Sequence, residues 1–342
     1  MTEPKPDLER VWRRFALTFL GVFGGALGFL YLALLVVDPY DTGRFPTFMK
    51  PGVVDEGQRT SNASHGRDPR FTAAVIGNSR GQMLDPAKLS AATGMNFVQL
   101  TTPASGPVEQ MTMLRYFMQY HRRIDAVILT IDERWCGHDR SLPIILPFPF
   151  WLYRGDLEYL SHFFSTRALT FAARRIKMEL GLVPADDARG YQDYETGHYR
   201  NFHPGPLRPV ETREVAPLGT PFAGFDLLDP VLAELPATTR VVFLMSPVYQ
   251  VWLDELDPQM IADQPRCKTE VAARAAARPN TTLLDYFHES PISHDAENFM
   301  DTQHFRLNIA RLLEARIVKA LNGQDSVDSA RGNVSSSANG GG

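Results

Sequence analysis

Phe71-Thr-Ala-Ala-Val-Ile-Gly-Asn-Ser79-Arg-Gly-Gln-Met-Leu-Asp-Pro86 opens with a short apolar run and stops in a turn of small and polar residues. Ala73 to Ile76 has the length and branching of a central strand, and Gly77, Asn78 and Gly81 suit a tight turn. Such a turn carries the hydroxyl of Ser79 to the carboxyl end of the strand, where open α/β sheets bind ligands. Serines in strand-to-helix turns commonly serve as caps, so Ser79 becomes a candidate nucleophile only if the chain supplies a base and an acid to orient it.

Downstream of this strand, apolar runs alternate with helical patterns. A short helix fits Asp85 to Thr93, a strand Asn96 to Thr102, a helix Val108 to about Arg122, and a strand Ile124 to Ile131. A helical pattern runs from Gly155 to Leu180. After it come helix-compatible Asp229 to Leu235, a strand from Thr239, a helix Arg266 to Arg278 and a last strand Asn280 to Tyr286. This alternation predicts a three-layer αβα sandwich around a mostly parallel sheet, spanning 71–321 and closed by an amphipathic helix ending near Leu321. A polar insertion at about 183–221 interrupts it; loops of that length inside a domain are commonly functional. Its His198 and His203 match no metal-ligand spacing and read as solvated or stacked rings. The tail 322–342 has almost nothing apolar and is expected to be disordered.

Before the sheet, Phe15 to Val37 carries no charge, and fourteen of its residues are Leu, Phe or Val. At a few tenths of a kcal/mol each they favour insertion by roughly 4–8 kcal/mol before the glycines are discounted. The stretch is long enough to cross a bilayer and longer than the apolar core of a secretory signal, and no small-residue cleavage pattern follows it. Arg10, Arg13 and Arg14 before the span and Asp38 and Asp41 after it predict a short cytoplasmic tail (1–14), a single-pass anchor (15–37) and an extracytoplasmic, periplasmic remainder. Gly21 and Gly25, and Gly24 and Gly28, have the spacing that lets another membrane helix approach closely. The segment 38–70 is rich in Pro, Gly, Asp, Arg and Ser, and reads as a juxtamembrane tether or an irregular collar.

The 342-residue chain has a net charge of −4, which offers no broad basic field for nucleic acid. Cys136 and Cys267 match no metal-ligand spacing; they are either one disulfide, in an oxidising compartment, or two separate buried thiols. Nothing in the sequence calls for a cofactor or a metal.

Asp301-Thr-Gln-His304 follows the last strand. In a helix-like turn, residues three apart share a side, so Asp301 can orient His304, and His304 can act as general base toward a serine. In a parallel sheet the loops after the first and last strands gather at one edge, so Ser79, His304 and Asp301 are the expected catalytic set.

In these motifs the chain resembles the SGNH (GDSL-like) hydrolases, with Gly77-Asn78-Ser79 matching their nucleophile turn and Asp301-Thr-Gln-His304 their Asp-x-x-His. The anchored architecture is similar to that of DltD-like and alginate-acetylation proteins, which act beside membrane-bound O-acyltransferases. The resemblance implies a cell-envelope esterase or acyltransferase working through an acyl-Ser79 intermediate on acyl, in particular acetyl, esters of an envelope glycan or lipid. It also implies oxyanion donors at the Ser79 amide and Gly106. The family's oxyanion asparagine has no counterpart after Ile131, where Asp132-Glu133 stands, and an ionised aspartate donates no hydrogen bond; Asn78 is the nearest replacement. That gap supports another reading, a catalytically silent relative that binds glycan or scaffolds an envelope complex; a third, separate reading is a metal-dependent phosphohydrolase using Asp132, Asp301 and His304.

Overall fold

A computed structural model describes residues 8–53, 57–184, 189–199, 201, 203, 219–254 and 258–324. Most of the expected disordered tail (325–342) and parts of the polar insertion lie outside the described residues. In chain order the elements are α1 (Leu8–Val37), α2 (Gln58–Arg67), β1 (Ala73–Ile76), α3 (Pro86–Thr93), β2 (Phe97–Gln99), α4 (Pro107–Tyr120), β3 (Ala126–Thr130), α5 (Phe150–Tyr153) and α6 (Asp156–Phe163). They continue with α7 (Thr166–Glu179), α8 (Ala223–Glu234), β4 (Arg240–Met245), α9 (Gln250–Asp254), α10 (Pro258–Ala277), β5 (Thr281–Asp285), α11 (Pro291–His294) and α12 (Leu307–Leu321).

The five strands form one sheet in the order β2-β1-β3-β4-β5, and every pairing is parallel. Strands buried on both faces need apolar residues at every position, and the register sorts them into two cores. Ala74, Ile76, Val127, Leu129, Val241 and Phe243 face a core shared with α2, α4, α8, α10 and the lateral α1 and α5–α7. Ala73, Val75, Ala126, Ile128, Val242 and Leu244 face the second core, against α3 and α12. The chain is therefore an αβα sandwich with a parallel sheet, as the strand-helix alternation predicts. The order changes direction between β1 and β3, the crevice where such sheets take ligands.

α1 is the one described helix long and apolar enough to cross a membrane, and almost all of its apolar stretch is exposed. The segment after it is more ordered than a tether. Asp41 is buried and accepts from Gly52 N at 2.8 Å, Ser64 Oγ at 2.6 Å and the Arg67 guanidinium, with Arg175 3.2 Å away. Its neighbour α2, Gln-Arg-Thr-Ser-Asn-Ala-Ser-His-Gly-Arg, is buried along most of its length although it is almost wholly polar. The helix is held by side-chain bonds, including Asn62 Nδ2 to Thr101 O at 3.0 Å and Tyr116 Oη to Ala63 O at 2.9 Å. A helix without an apolar stripe has no periodic signature, which is why the sequence reads here as irregular. The single helical pattern of Gly155 to Leu180 is two helices, because Ser165 caps a new one by accepting from Ala168 N.

Cys136 and Cys267 are joined, tying the 3-10 turn after β3 to α10. At the switch point, a Cβ on Gly77 would lie 1.8 Å from Thr130 Oγ1 and 2.9 Å from Thr130 Cβ, so only glycine lets the β1 turn rest on β3. Gly77→Ala should cost about 3 kcal/mol by forced overpacking. A Cβ on Gly106 meets only Glu109 Oε2 at 3.6 Å, so Gly106→Ala should stay within about 0.5 kcal/mol. Thermal melts of the detergent-solubilised protein separate the two.

Candidate active site

β1 ends at Ile76 and the chain turns at once into a 3-10 helix, Ser79–Gly81. Asn78 caps that turn, its Oδ1 accepting from Arg80 N at 3.0 Å. The capped turn fixes the Ser79 side chain at the rim of the sheet. On the far side of the rim, Asp301-Thr-Gln-His304 forms a bend between Phe299 and Phe305, which bridge each other ahead of α12. The sequence predicts a helix-like turn; the observed device is an aspartate loop. Asp301 Oδ1 accepts from the amides of Gln303 and His304, both at 2.8 Å, which curls the backbone so that the imidazole returns over its own carboxylate.

The three expected residues converge. His304 Nε2 is 2.7 Å from Ser79 Oγ, and His304 Nδ1 is 2.7 Å and 2.8 Å from the two Asp301 oxygens. Because an ionised carboxylate only accepts, Nδ1 carries the proton and Nε2 is left to accept from the serine hydroxyl. Partial burial alone would raise the pKa of Asp301, but hydrogen bonds from the His304 ring and the two amides bring it below the ordinary carboxylate value. Asp301 is thus held ionised as the imidazole partner.

The neighbouring residues differ from expectation. The loop after β2 does reach the nucleophile turn: Thr102 N at 2.9 Å and Ser105 Oγ at 3.2 Å both donate to Gly77 O. The Gly106 amide, however, donates to Glu109 Oε2 at 3.1 Å in the cap of α4, and the Asn78 amide donates to Asp132 Oδ2. Neither expected oxyanion donor is free in this arrangement. The Ser79 amide opens its 3-10 turn and so has no intrahelical acceptor, which leaves it the one expected donor still available.

Asp132 and Glu133 do not line the cleft as metal ligands. Asp132 is buried and bonds Asn78 and Arg134 N. Glu133 pairs with buried Arg80 through two bonds of 2.6 and 2.8 Å. Among the described residues no group of three or more His, Cys, Asp or Glu side chains is placed to hold a metal. The acidic pair is a buttress behind the Ser79 turn, and Arg80 and Asn78, on either side of Ser79, are the residues it grips.

Two further contributors lie outside the expected catalytic and oxyanion set, although charges directly after the β3 strand, Arg134 among them, are themselves candidates to line a site or to pair at the sheet rim. Arg134 Nη1 donates to Ser105 O at 3.2 Å, bringing a half-buried guanidinium to the β2 loop. From the polar insertion, Glu195 accepts from Leu307 N at 2.6 Å and Arg306 at 3.0 Å, capping α12 just beyond His304. The insertion also covers the outer edge of β2, where Arg189 O accepts from Gln99 N. A lone Glu in a polar stretch is invisible as a cap until the fold brings a helix start to it.

Comparison with protein-family models and with curated proteins gives no match for this chain.

Burial, and then the charge of Glu133, push the Asp132 carboxyl up to about 6 against the opposing pull of Arg80 and Arg134. Between the ordinary value of 3.8 and about 6 the folded protein therefore holds a proton that the unfolded chain has released. This group favours folding as pH falls through that window and loses its contribution as pH rises through 6. Asp132→Asn, which keeps the size and cannot ionise, should remove the trend: the melting temperature of wild type relative to the variant should be higher at about pH 5 than at about pH 8.

Proposed function

We propose that the protein is a membrane-anchored, extracytoplasmic serine esterase or O-acyltransferase of the SGNH (GDSL-like) type. The observation that carries this reading is the continuous hydrogen-bond chain from Ser79 Oγ through His304 to Asp301 at the carboxyl edge of a parallel sheet. In the first half-reaction Ser79 Oγ attacks the carbonyl carbon of an ester while its proton passes to His304 Nε2. The tetrahedral intermediate collapses to acyl-Ser79 as His304 returns that proton to the departing alcohol. Water or an acceptor hydroxyl then enters by the reverse path, restoring free Ser79. Asp301 stabilises the imidazolium in both halves.

The anchored location is supported by α1, by the arginines at its start, and by the disulfide, since such bonds persist in oxidising compartments outside the cytoplasm. An anchor holds the enzyme beside envelope glycans or lipids and beside a membrane-bound O-acyltransferase that could pack on Gly21 to Gly28, where a Cβ added at any of the four glycines would meet nothing within 4 Å among the described residues. This favours acyl transfer, notably of acetyl groups, over plain hydrolysis by analogy of placement. For the developing oxyanion we propose the Ser79 amide together with Arg134, the cation that reaches the loop after β2, since Gly106 in that loop and Asn78 in the β1 turn are otherwise engaged.

A second reading, a catalytically silent glycan-binding or scaffolding relative, draws its support from those two engaged donors. A fluorophosphonate probe decides between them. Labelling of wild type, with none of Ser79→Ala and His304→Ala, is the expected result; equal labelling of all three, or of none, overturns the esterase reading. With an activated acetyl ester, Arg134→Ala should lower kcat by about 10²–10³ with little change in KM, and Arg134→Lys should recover part of it. An unchanged kcat would remove Arg134 from the oxyanion site.

A further inference from the structure

The geometry of α1 limits how far the folded domain can stand above a bilayer. Arg10, Arg13 and Arg14 mark the inner end of the apolar stretch. From Phe15 to Phe29 every residue is exposed, and from Leu30 onward the helix begins to pack on the domain. Fifteen helical residues reach about 22 Å, whereas the hydrocarbon core is about 30 Å thick. The missing distance of about 8 Å is met only if the hydrocarbon extends to about Leu34, alongside residues already in contact with the domain. The outward face of that same segment agrees, since Leu32 and Val36, one turn apart, stay exposed.

The part of the domain at that level is α6 and the start of α7. Tyr31 Oη donates to Leu160 O at 3.3 Å, and the Tyr31 ring lies 5.8 Å from that of Phe163 and 6.1 Å from that of Phe164. Tyr31 is six residues, about 9 Å, deeper along the helix than Val37. Beside this contact large apolar side chains stand exposed: Leu157 is 85% exposed, and Phe164 is exposed beside Tyr31. Phe48, 92% exposed, sits on a strap pinned beside the end of α1, because Arg175 donates both to Val37 O and to Lys50 O. Leu180, 67% exposed, follows Glu179, which accepts from Lys50 N at 2.8 Å.

We propose that this α6–α7 side is seated in the outer interface of the bilayer that α1 crosses, with Leu157 and Phe164 at the boundary between headgroups and acyl chains. The inference rests on the anchored reading above. Its occupant is lipid, because the surface is continuous with the lipid-facing side of α1 and the span is too short to clear it. The required depth matches the 5–10 Å at which interfacial apolar faces are buried. Of the charges on these helices, Asp156 is paired with Arg44 and Glu158 with Arg154 at 3.7 Å, Arg167 donates to Thr60 Oγ1 at 3.1 Å, and exposed Lys177 on α7 can reach anionic headgroups.

Both native cysteines are paired, so an added cysteine is the single reactive thiol. The test labels Leu157→Cys, Phe164→Cys, Phe23→Cys and Leu312→Cys with an environment-sensitive fluorophore, in full-length protein reconstituted into phosphatidylethanolamine–phosphatidylglycerol vesicles. Leu312 lies on α12, across the sheet from α1. The expected result is loss of iodide quenching at 157, 164 and 23, with quenching there by chain-nitroxide lipids, while 312 shows the reverse. Iodide quenching at 157 and 164 equal to that at 312, with 23 protected, would overturn the seat and leave the anchor standing. Iodide quenching at 23 as well would overturn the anchor and the seat together.

Discussion

The contact between Gly77 and Thr130 sets the position of the candidate site at the sheet edge. With no side chain at 77, the turn after β1 lies directly on the last residue of β3. That closeness brings Asn78 within bonding reach of Asp132 and Arg80 within reach of Glu133, one partner on each side of Ser79. The serine is thus clamped at both neighbours by residues following a different strand. Ordering a side chain costs conformational entropy, and at Ser79 that cost is met by the fold.

The clamp has an electrostatic consequence. Two adjacent acidic residues are buried together, and the pair is tolerated because Arg80 neutralises Glu133 while Asp132 is pushed toward its protonated form. A buried ion pair is weak evidence for stability, because desolvation offsets much of its attraction, so conformational specificity is the better account of its presence here. Asp301 lies under the opposite influence, its pKa lowered by donors from its own loop. Two aspartates at one sheet edge are therefore driven apart: the one behind the serine toward neutrality, the one behind the histidine toward charge. That division suits an arrangement in which only the histidine is required to change protonation.

How far this was legible in the sequence follows from what each feature depends on. Strands such as Ala126–Thr130 and Arg240–Met245 are apolar runs, and burial on both faces needs nothing more to be recognised. Ser79, Asp301 and His304 could be brought together because parallel topology sends the ends of all strands to one edge, a rule requiring no side-chain detail. The oxyanion donors could not be assigned by that route. Whether an amide is free depends on its nearest competitor, and Glu109 for Gly106 and Asp132 for Asn78 are competitors only in three dimensions. The same holds for α2, whose buried Thr60, Ser61 and Asn62 look like a solvated loop until their partners are in place.

The collar between α1 and the sheet is stiff. Asp38 accepts from Thr42 Oγ1 at 3.0 Å and Gly43 N at 2.7 Å, and Asp41 gathers donors from Gly52, Ser64 and Arg67. Arg175, itself buried, joins α7 to the carbonyls that end α1. A carboxylate saturated by buried donors resists rearrangement, because each bond released would leave a buried charge or amide unpaired. The helix leaving the domain is consequently a fixed extension of it, in contrast to a flexible leash, whose reach grows with the square root of its length. A leash would let Ser79 sample a broad shell around α1, whereas a fixed mount holds it at one distance and orientation from that helix. Under the proposed acyl-transfer function, a donor delivered at a defined depth is better matched by the fixed mount, since the encounter then loses little orientational freedom.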